Sequence, residues 1–195
     1  MSNKTRAVVI AALAVGLCST SLRAGVAAIT VFGNGMAKAC SVSAYHVAAG
    51  VIPTEKSVEA CDLALSTESL SLHDLAGTHV NRGVLLLARS KFLGAKRDFD
   101  AAIKIMPDLG EAYTDRGAAS LGLQHYAEAV ADIDHGLTLN PGEPEKAYYN
   151  RGLAHEGLDD LKSAYLDYTR AAELKPDWDA PKKELSRFTV AQHAS

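Results

Sequence analysis

A pattern that recurs every 34 or 35 residues constrains the fold of this chain more than any other feature. An arginine directly before a glycine marks each copy, at Arg82-Gly83, Arg116-Gly117 and Arg151-Gly152. In the same register, each copy has an alanine, a large apolar residue and a proline: Ala95, Phe99 and Pro107; Ala129, Ile133 and Pro141; Ala164, Tyr168 and Pro176. Apolar residues between these anchors recur at steps of three and four residues, which predicts helices rather than strands.

These anchors resemble those of the tetratricopeptide repeat, a unit of two antiparallel helices. The resemblance covers residues 76–178, as three units at 76–109, 110–143 and 145–178. It implies an all-α fold, an α-solenoid in which the glycine of each first helix faces the alanine of the second helix at a close crossing. Each proline then ends a second helix, because proline disfavours the helical conformation in the residue before it. Three repeats are about the number needed for a stable stack.

Residues 1–28 have the order of features that is typical of a secretory signal peptide. Lys4 and Arg6 make the start positive, an eleven-residue apolar run follows over 7–17, and residues 26–28 form an acceptable cleavage site. We therefore expect cleavage after Ala28 and a bacterial-type exported protein, periplasmic or secreted. The alternatives are an uncleaved N-terminal anchor and a lipid anchor on Cys18. Cleavage removes three positive charges and no acidic residue, which takes the net charge from −3 to −6.

Residues 29–75 are expected to form a helical cap before the repeats. A break from Gly50 to Pro53 separates two predicted helices, and Cys40 and Cys61 lie about equally far from this break. An antiparallel hairpin would bring the two cysteines face to face, and exported proteins fold in an oxidising compartment. The sequence therefore predicts a structural disulfide, since no C-x-x-C motif supports a redox-active pair. After the repeats, residues 179–195 are expected to form a capping helix to about residue 190 and a tail.

The arginine before each repeat glycine departs from the general repeat, which more often has an apolar residue there. An aspartate follows each arginine sixteen residues later. In an antiparallel helix pair whose turn lies midway, the two positions face each other. We therefore predict structural ion pairs, within one repeat or shared with the next. The pairs are Arg82 with Asp98, Arg116 with Asp132, and Arg151 with Asp167.

The resemblance also implies a binding surface, because the first helices of such repeats line a concave groove that binds extended or helical peptides. The matching groove positions are Val80, Asn81, Val84 and Leu87; Thr114, Asp115, Ala118 and Leu121; and Lys146, Tyr149, Asn150 and Leu153. The amide and carboxyl side chains among them could hydrogen-bond a peptide backbone. Only Lys146 matches the carboxylate clamp of the chaperone-binding members, so we do not expect recognition of an acidic C-terminal peptide. The alternative is that these residues pack between helices or lie beneath the N-terminal hairpin.

The remaining motifs argue against several function classes. The seven histidines form no H-E-x-x-H or C-x-x-C-H motif, and no glycine-rich phosphate loop is present. We therefore expect no enzyme activity, no cofactor or metal, and no small-molecule substrate. A net charge of −3 provides no basic surface for nucleic acid. Two hypotheses remain. The first is a scaffold that binds a peptide of another cell-envelope protein in the groove. The second is a structural module that uses its outer helix faces to form a homodimer or to contact an envelope protein.

Overall fold

Nine α-helices account for most of the residues that the computed structural model describes, which are 7–10, 26–31, 35–48 and 50–192. They are α1 (Met36–Ala48), α2 (Glu55–Thr67), α3 (Leu72–Ala88), α4 (Phe92–Ile105), α5 (Gly110–Gly122), α6 (Tyr126–Thr138), α7 (Pro144–Gly157), α8 (Leu161–Leu174) and α9 (Asp179–Leu185). Helix α3 pairs with α4, α5 with α6 and α7 with α8, and each pair packs on the next. The predicted α-solenoid of three antiparallel helix pairs is confirmed.

Each repeat glycine lies where the second helix of its own pair comes closest. A Cβ atom on Gly83 would lie 2.5 Å from a ring carbon of Phe99, and one on Gly117 would lie 2.5 Å from Cγ1 of Ile133. On Gly152 the same atom would lie 2.7 Å from the ring of Tyr168. The glycines thus face the large apolar residues rather than the alanines, of which only the Ala129 carbonyl oxygen lies this close; the alanines are fully buried one turn earlier: Ala95, Ala129 and Ala164. The recurring anchors are therefore packing requirements of the helix pairs.

The turn inside each helix pair contains a left-handed residue that is not glycine. The φ angles are 57° at Ser90, 62° at Gln124 and 60° at Asp159. A side chain disfavours this conformation, because its Cβ approaches the following carbonyl oxygen. The three positions are equivalent in the repeats, so all three pairs reverse the chain with the same turn.

The N-terminal cap is a hairpin of α1 and α2, and both helices pack against α3. A disulfide joins Cys40 and Cys61, whose Cα atoms lie 4.9 Å apart, and both residues are fully buried. The predicted disulfide-linked hairpin is therefore confirmed. Glu68, which follows α2, accepts hydrogen bonds from the N–H groups of Met36 (2.5 Å) and Ala37 (3.3 Å). A carboxylate at this end of α1 satisfies N–H groups that have no helical partner and complements the helix dipole.

The C-terminal end differs in part from the prediction. Helix α9 packs on α8 as a capping helix, but it ends at Leu185. Strand β2 (Thr189–Gln192) follows and pairs antiparallel with strand β1 (Ala7–Ile10). The expectation of helix to about residue 190 was therefore wrong. Two successive β-branched residues, Thr189 and Val190, favour extended backbone at this point.

Most of the predicted signal peptide, including Cys18, lies outside the described residues. The expected cleavage site lies within residues 26–31, which are described and belong to no helix or strand. Among the helices of the described residues, none combines the length and the apolar composition needed to cross a membrane.

Candidate functional site: the concave face of the repeats

Residues 26–31, here called the groove segment, cross the first helices of all three repeats. The backbone of Val26 is bonded to a side chain of α7, that of Ala27 to one of α5, and that of Ile29 to one of α3. The segment therefore runs across the helices in the reverse of their chain order. It occupies the surface on which the repeat resemblance implies a bound peptide.

Asn81 of α3 binds both backbone groups of one residue of the groove segment. Its Oδ1 accepts a hydrogen bond from the N–H of Ile29 (2.8 Å), and its Nδ2 donates one to the carbonyl oxygen of Ile29 (2.7 Å). Ser41 of α1 donates a further hydrogen bond to the same carbonyl oxygen (2.9 Å). Asn81 is fully buried, so these bonds satisfy polar groups that water does not reach.

Asp115 occupies the equivalent position in the second repeat and makes only one such bond. Its Oδ1 accepts the N–H of Ala27 (3.2 Å), whereas its buried Oδ2 has no hydrogen-bond partner among the described residues. Burial raises the pKa of Asp115 well above its usual range, and the Ala27 bond and the nearby charge of Lys146 oppose this only in part. The neutral carboxyl group is therefore favoured in the folded protein.

Lys146 of α7 binds the first residue of the groove segment. Its Nζ donates hydrogen bonds to the carbonyl oxygen of Val26 (2.8 Å) and to Oε2 of Glu143 (2.7 Å). The lysine side chain is 13% exposed. Its charge is therefore already balanced by a neighbouring acid, and the carbonyl bond fixes one end of the groove segment.

The side chains of the groove segment fit closely against the helices. Val26, Ala27 and Val31 are buried, whereas Thr30 is exposed. Gly77 of α3 provides the space for this approach, because a Cβ atom there would lie 3.0 Å from Cγ2 of Ile29. The groove segment is therefore held through its backbone by polar groups, while its small and aliphatic side chains fit the surface by shape.

The predicted groove positions separate into two groups. Asn81, Asp115 and Lys146 contact the groove segment, and Asn150 is buried at the equivalent position of the third repeat. The others pack between helices. Val80, Val84, Leu87 and Ala118 belong to the core cluster that includes the hairpin cysteines; Leu121 and Leu153 pack with Ala129 and Ala154; Tyr149 contacts Trp178 and Tyr168; Thr114 donates a hydrogen bond to the Glu111 carbonyl oxygen.

Two parts of this site were not predicted from the sequence. Ser41 reaches the groove from the N-terminal hairpin, a contact for which the repeat pattern gives no signal. The groove segment itself was interpreted as a cleavage site. Four of its six residues, Val26, Ile29, Thr30 and Val31, are β-branched, which is typical of extended backbone and is the signal that could have revealed it.

An open cleft of about 700 Å³ lies beside the groove segment. Residues 27–30 form one wall of it, and Tyr45 and His46 of α1 lie on the hairpin side. Glu111 and Glu143 contribute carboxylates from the second and third repeats. Within the described residues, no group of three or more His, Cys, Asp or Glu residues is arranged to hold a metal ion. Two carboxylates, those of Glu111 and Glu143, therefore line the cleft beside the backbone of the groove segment.

A ladder of ion pairs links the repeats. Each repeat arginine binds the aspartate sixteen residues later through two nitrogens: Arg82 to Asp98 (2.9 and 2.6 Å), Arg116 to Asp132 (2.8 and 2.6 Å) and Arg151 to Asp167 (2.9 and 2.6 Å). Its third nitrogen binds an aspartate of the preceding helix pair: Arg82 binds Asp62 (2.7 Å), Arg116 binds Asp100 (2.7 Å) and Arg151 binds Asp134 (2.5 Å). Each arginine therefore joins two neighbouring units.

The electrostatics of the ladder agree with this geometry. Burial alone would raise the pKa of Asp98, but hydrogen bonds from His79 and Arg82 hold it below its ordinary value. The hydrogen bonds that Arg116 donates to Asp132 raise the arginine pKa above its usual range. In the Arg82–Asp98 pair the arginine pKa is raised and the aspartate pKa is lowered, so the charged forms of both residues are favoured, which indicates a structural role.

Comparisons with known proteins give the same fold. The Tetratricopeptide repeat family model matches residues 145–177. Over 105 residues the chain is 30% identical to the Hsp70-Hsp90 organizing protein of Triticum aestivum, covering 54% of this chain and 18% of that protein. Over 131 residues it is 28% identical to FK506-binding protein-like of Mus musculus, covering 63% of this chain and 38% of that protein. The chain therefore spans less than two fifths of the length of either of these curated relatives.

Solved structures match over most of their own length. The first TPR domain of the human RPAP3 protein has a TM-score of 0.56 and 27% identity, covering 60% of this chain and 91% of that one. The first TPR of Spaghetti (RPAP3), solved with the HSP90 peptide SRMEEVD, has a TM-score of 0.54 and 28% identity, covering 57% of this chain and 88% of that one. The family match over residues 145–177 and these likenesses support the assignment of the repeat array to the tetratricopeptide repeat family.

Proposed function

We propose that the protein is a non-catalytic scaffold that binds an extended segment of another protein in the concave groove. The observation that carries this proposal is the pair of hydrogen bonds between Asn81 and the backbone of Ile29. Such a contact fits any extended residue other than proline, because it uses only the backbone N–H and carbonyl groups. The groove thus has the chemistry of a backbone-binding site.

The likeness to the Spaghetti (RPAP3) repeat, which is solved with a bound HSP90 peptide, supports peptide binding in a groove of this shape. The ligand proposed for this chain is different in charge. Val80 and Val84 are apolar and fully buried, and Asp115 places a carboxyl group in the groove. Lys146 is already bonded to Glu143 and to the groove segment. An acidic peptide would find no unbalanced positive charge at these positions, so the ligand is apolar.

The proposal includes export of the protein to the periplasm or the cell exterior, with a cell-envelope protein as partner. The fully buried disulfide between Cys40 and Cys61 supports an oxidising compartment. The N-terminal sequence, with its positive start and apolar run, supports the same route.

Site-specific photocrosslinking in intact cells tests the proposed function without altering the groove. A photoreactive residue replaces Tyr45, which lines the cleft and is 67% exposed, or Leu93 on the second helix α4, which is 62% exposed. We expect one envelope protein to be captured from position 45 and not from position 93. The same set of proteins from both positions would contradict groove binding. Capture of only a second copy of this chain would support the self-associating module instead.

A further inference from the structure

The groove segment is held by contacts that a separate peptide could make equally well. In the described part of the chain, all five of its hydrogen bonds join its backbone to side chains, those of Asn81, Ser41, Asp115 and Lys146. None joins it to the backbone of a neighbouring strand or helix within the same residues. The segment is thus bound as a ligand would be, and its covalent link to the repeats is not needed for these bonds.

The contacts define the kind of segment that fits. Asp115 and Asn81 accept the N–H groups of Ala27 and Ile29, two residues apart, which lie on the same edge of an extended chain. Shape then limits the side chains, since Val26 and Ala27 are buried and Ile29 contacts the bare backbone of Gly77. A matching ligand is extended, uncharged and composed of small or aliphatic residues.

Charge further limits the ligand. The carboxylates of Glu111 and Glu143 line the cleft beside residues 27–30, and the positive charge of Lys146 is balanced by Glu143. An acidic residue in the ligand would be placed near these groups without a positive partner, which is unfavourable at short range.

Resting on the proposed function, we infer that, in the full chain before any cleavage after Ala28, the groove segment is an intramolecular ligand that closes the groove. The partner supplies an extended apolar segment of the same kind, which must displace residues 26–31 of this uncleaved chain in order to bind. The apparent affinity for the partner is then the intrinsic affinity multiplied by the fraction of molecules in which the groove is open.

The test uses the full chain and the hexapeptide Val-Ala-Ala-Ile-Thr-Val, acetylated, amidated and fluorescently labelled. Ile29→Pro removes the N–H that Asn81 accepts, so it weakens self-occupancy. Thr30→Pro is the matched control, because Thr30 is exposed and makes no hydrogen bond within the described residues. Ala27→Pro, which removes the N–H donated to Asp115, is a second, independent variant in case Ile29→Pro loses helical structure.

We expect fluorescence anisotropy to show that the Ile29→Pro chain binds the hexapeptide roughly fivefold more tightly than wild type, because one net hydrogen bond is worth about that factor. Thr30→Pro should match wild type, and a hexapeptide with proline at its fourth position should bind to none of the chains.

Equal binding of the hexapeptide by every chain would show that the groove segment does not compete. Failure of every chain to bind, together with a partner crosslinked from position 45, would overturn the inference and leave the proposed function standing. Failure of both experiments would overturn both.

Discussion

The side chain of Asn81 and the backbone of Ile29 exchange two hydrogen bonds, of 2.8 and 2.7 Å, although 52 residues separate them in the chain. Asn81, a residue of α3, is fully buried. An amide side chain is suited to this contact because it offers one acceptor and two donors on the same group. The polar positions of the first helices, rather than the apolar ones, therefore contact the backbone of the groove segment.

Asn81→Ala should lower the free energy of unfolding by about 2 kcal/mol, because it leaves the buried N–H and one bond of the carbonyl of Ile29 unsatisfied. Ser41→Ala removes only a second bond to the same carbonyl oxygen and should cost less than about 1 kcal/mol. Urea unfolding followed by circular dichroism measures both values. Equal losses in the two variants would argue against a special role for Asn81.

Asp115→Asn should stabilise the protein relative to wild type, and this difference in the free energy of unfolding should increase as the pH rises. Because the pKa of Asp115 is raised by burial, the folded state binds its proton more tightly than the unfolded state does. The stability that the neutral acid contributes is present below the unfolded pKa of about 3.9 and is lost as the pH rises through the folded pKa. The asparagine does not titrate, and its amide could donate to the carbonyl oxygen of Ala27 as Asn81 does to that of Ile29. Urea unfolding at acidic and neutral pH tests this, and a difference between variant and wild type that does not change with pH would refute it.

The two carboxylates bound to Arg116 should differ in their energetic coupling to it. Asp132 has a side chain only 16% exposed and accepts two hydrogen bonds, whereas Asp100 is 52% exposed and accepts one. We expect a coupling energy of about 1–3 kcal/mol for Arg116 with Asp132 and below about 1 kcal/mol with Asp100. Double-mutant cycles with alanine measure both, and additive losses for Arg116→Ala and Asp132→Ala would rule out the pairing.

Processing of the exported protein should cut through the groove segment. The expected cleavage after Ala28 removes Val26 and Ala27, and with them the backbone partners of Lys146 and Asp115. The new α-amino group of Ile29 could still donate to Oδ1 of Asn81. We expect the intact mass of protein purified from the periplasm to correspond to residues 29–195. A mass that includes residues 1–28 would support an uncleaved anchor.

Features that rest on short periodic spacing could be predicted from the sequence. The glycine crossings, the Cys40–Cys61 disulfide and the sixteen-residue spacing of Arg116 and Asp132 all follow from helix geometry within one unit. The second aspartate, which joins each arginine to the preceding unit, was missed, although the sequence contains its signal. In the first two repeats a second aspartate follows two residues after the first, in Asp98-Phe99-Asp100 and Asp132-Ile133-Asp134. In the third repeat threonine replaces it, in Asp167-Tyr168-Thr169, and no further repeat arginine follows.

The occupied groove could not be derived in the same way. The contact between Ile29 and Asn81 joins distant parts of the chain, and residues 26–31 belong to no periodic pattern. Tyr149 was predicted to line the groove, but it packs against Trp178 at a ring distance of 4.9 Å, since the last repeat needs apolar cover. Sequence spacing identified which helix face is concave, whereas its occupant depends on tertiary packing.

Amide hydrogen exchange of the groove segment in the full chain tests the central claim most directly. The N–H groups of Ala27 and Ile29 donate to buried side chains, whereas those of Ala28 and Thr30 make no hydrogen bond within the described residues. The account predicts slow exchange at Ala27 and Ile29 and fast exchange at Ala28 and Thr30, the alternation of an extended chain bound along one edge. Similar, fast exchange at all four residues would contradict it.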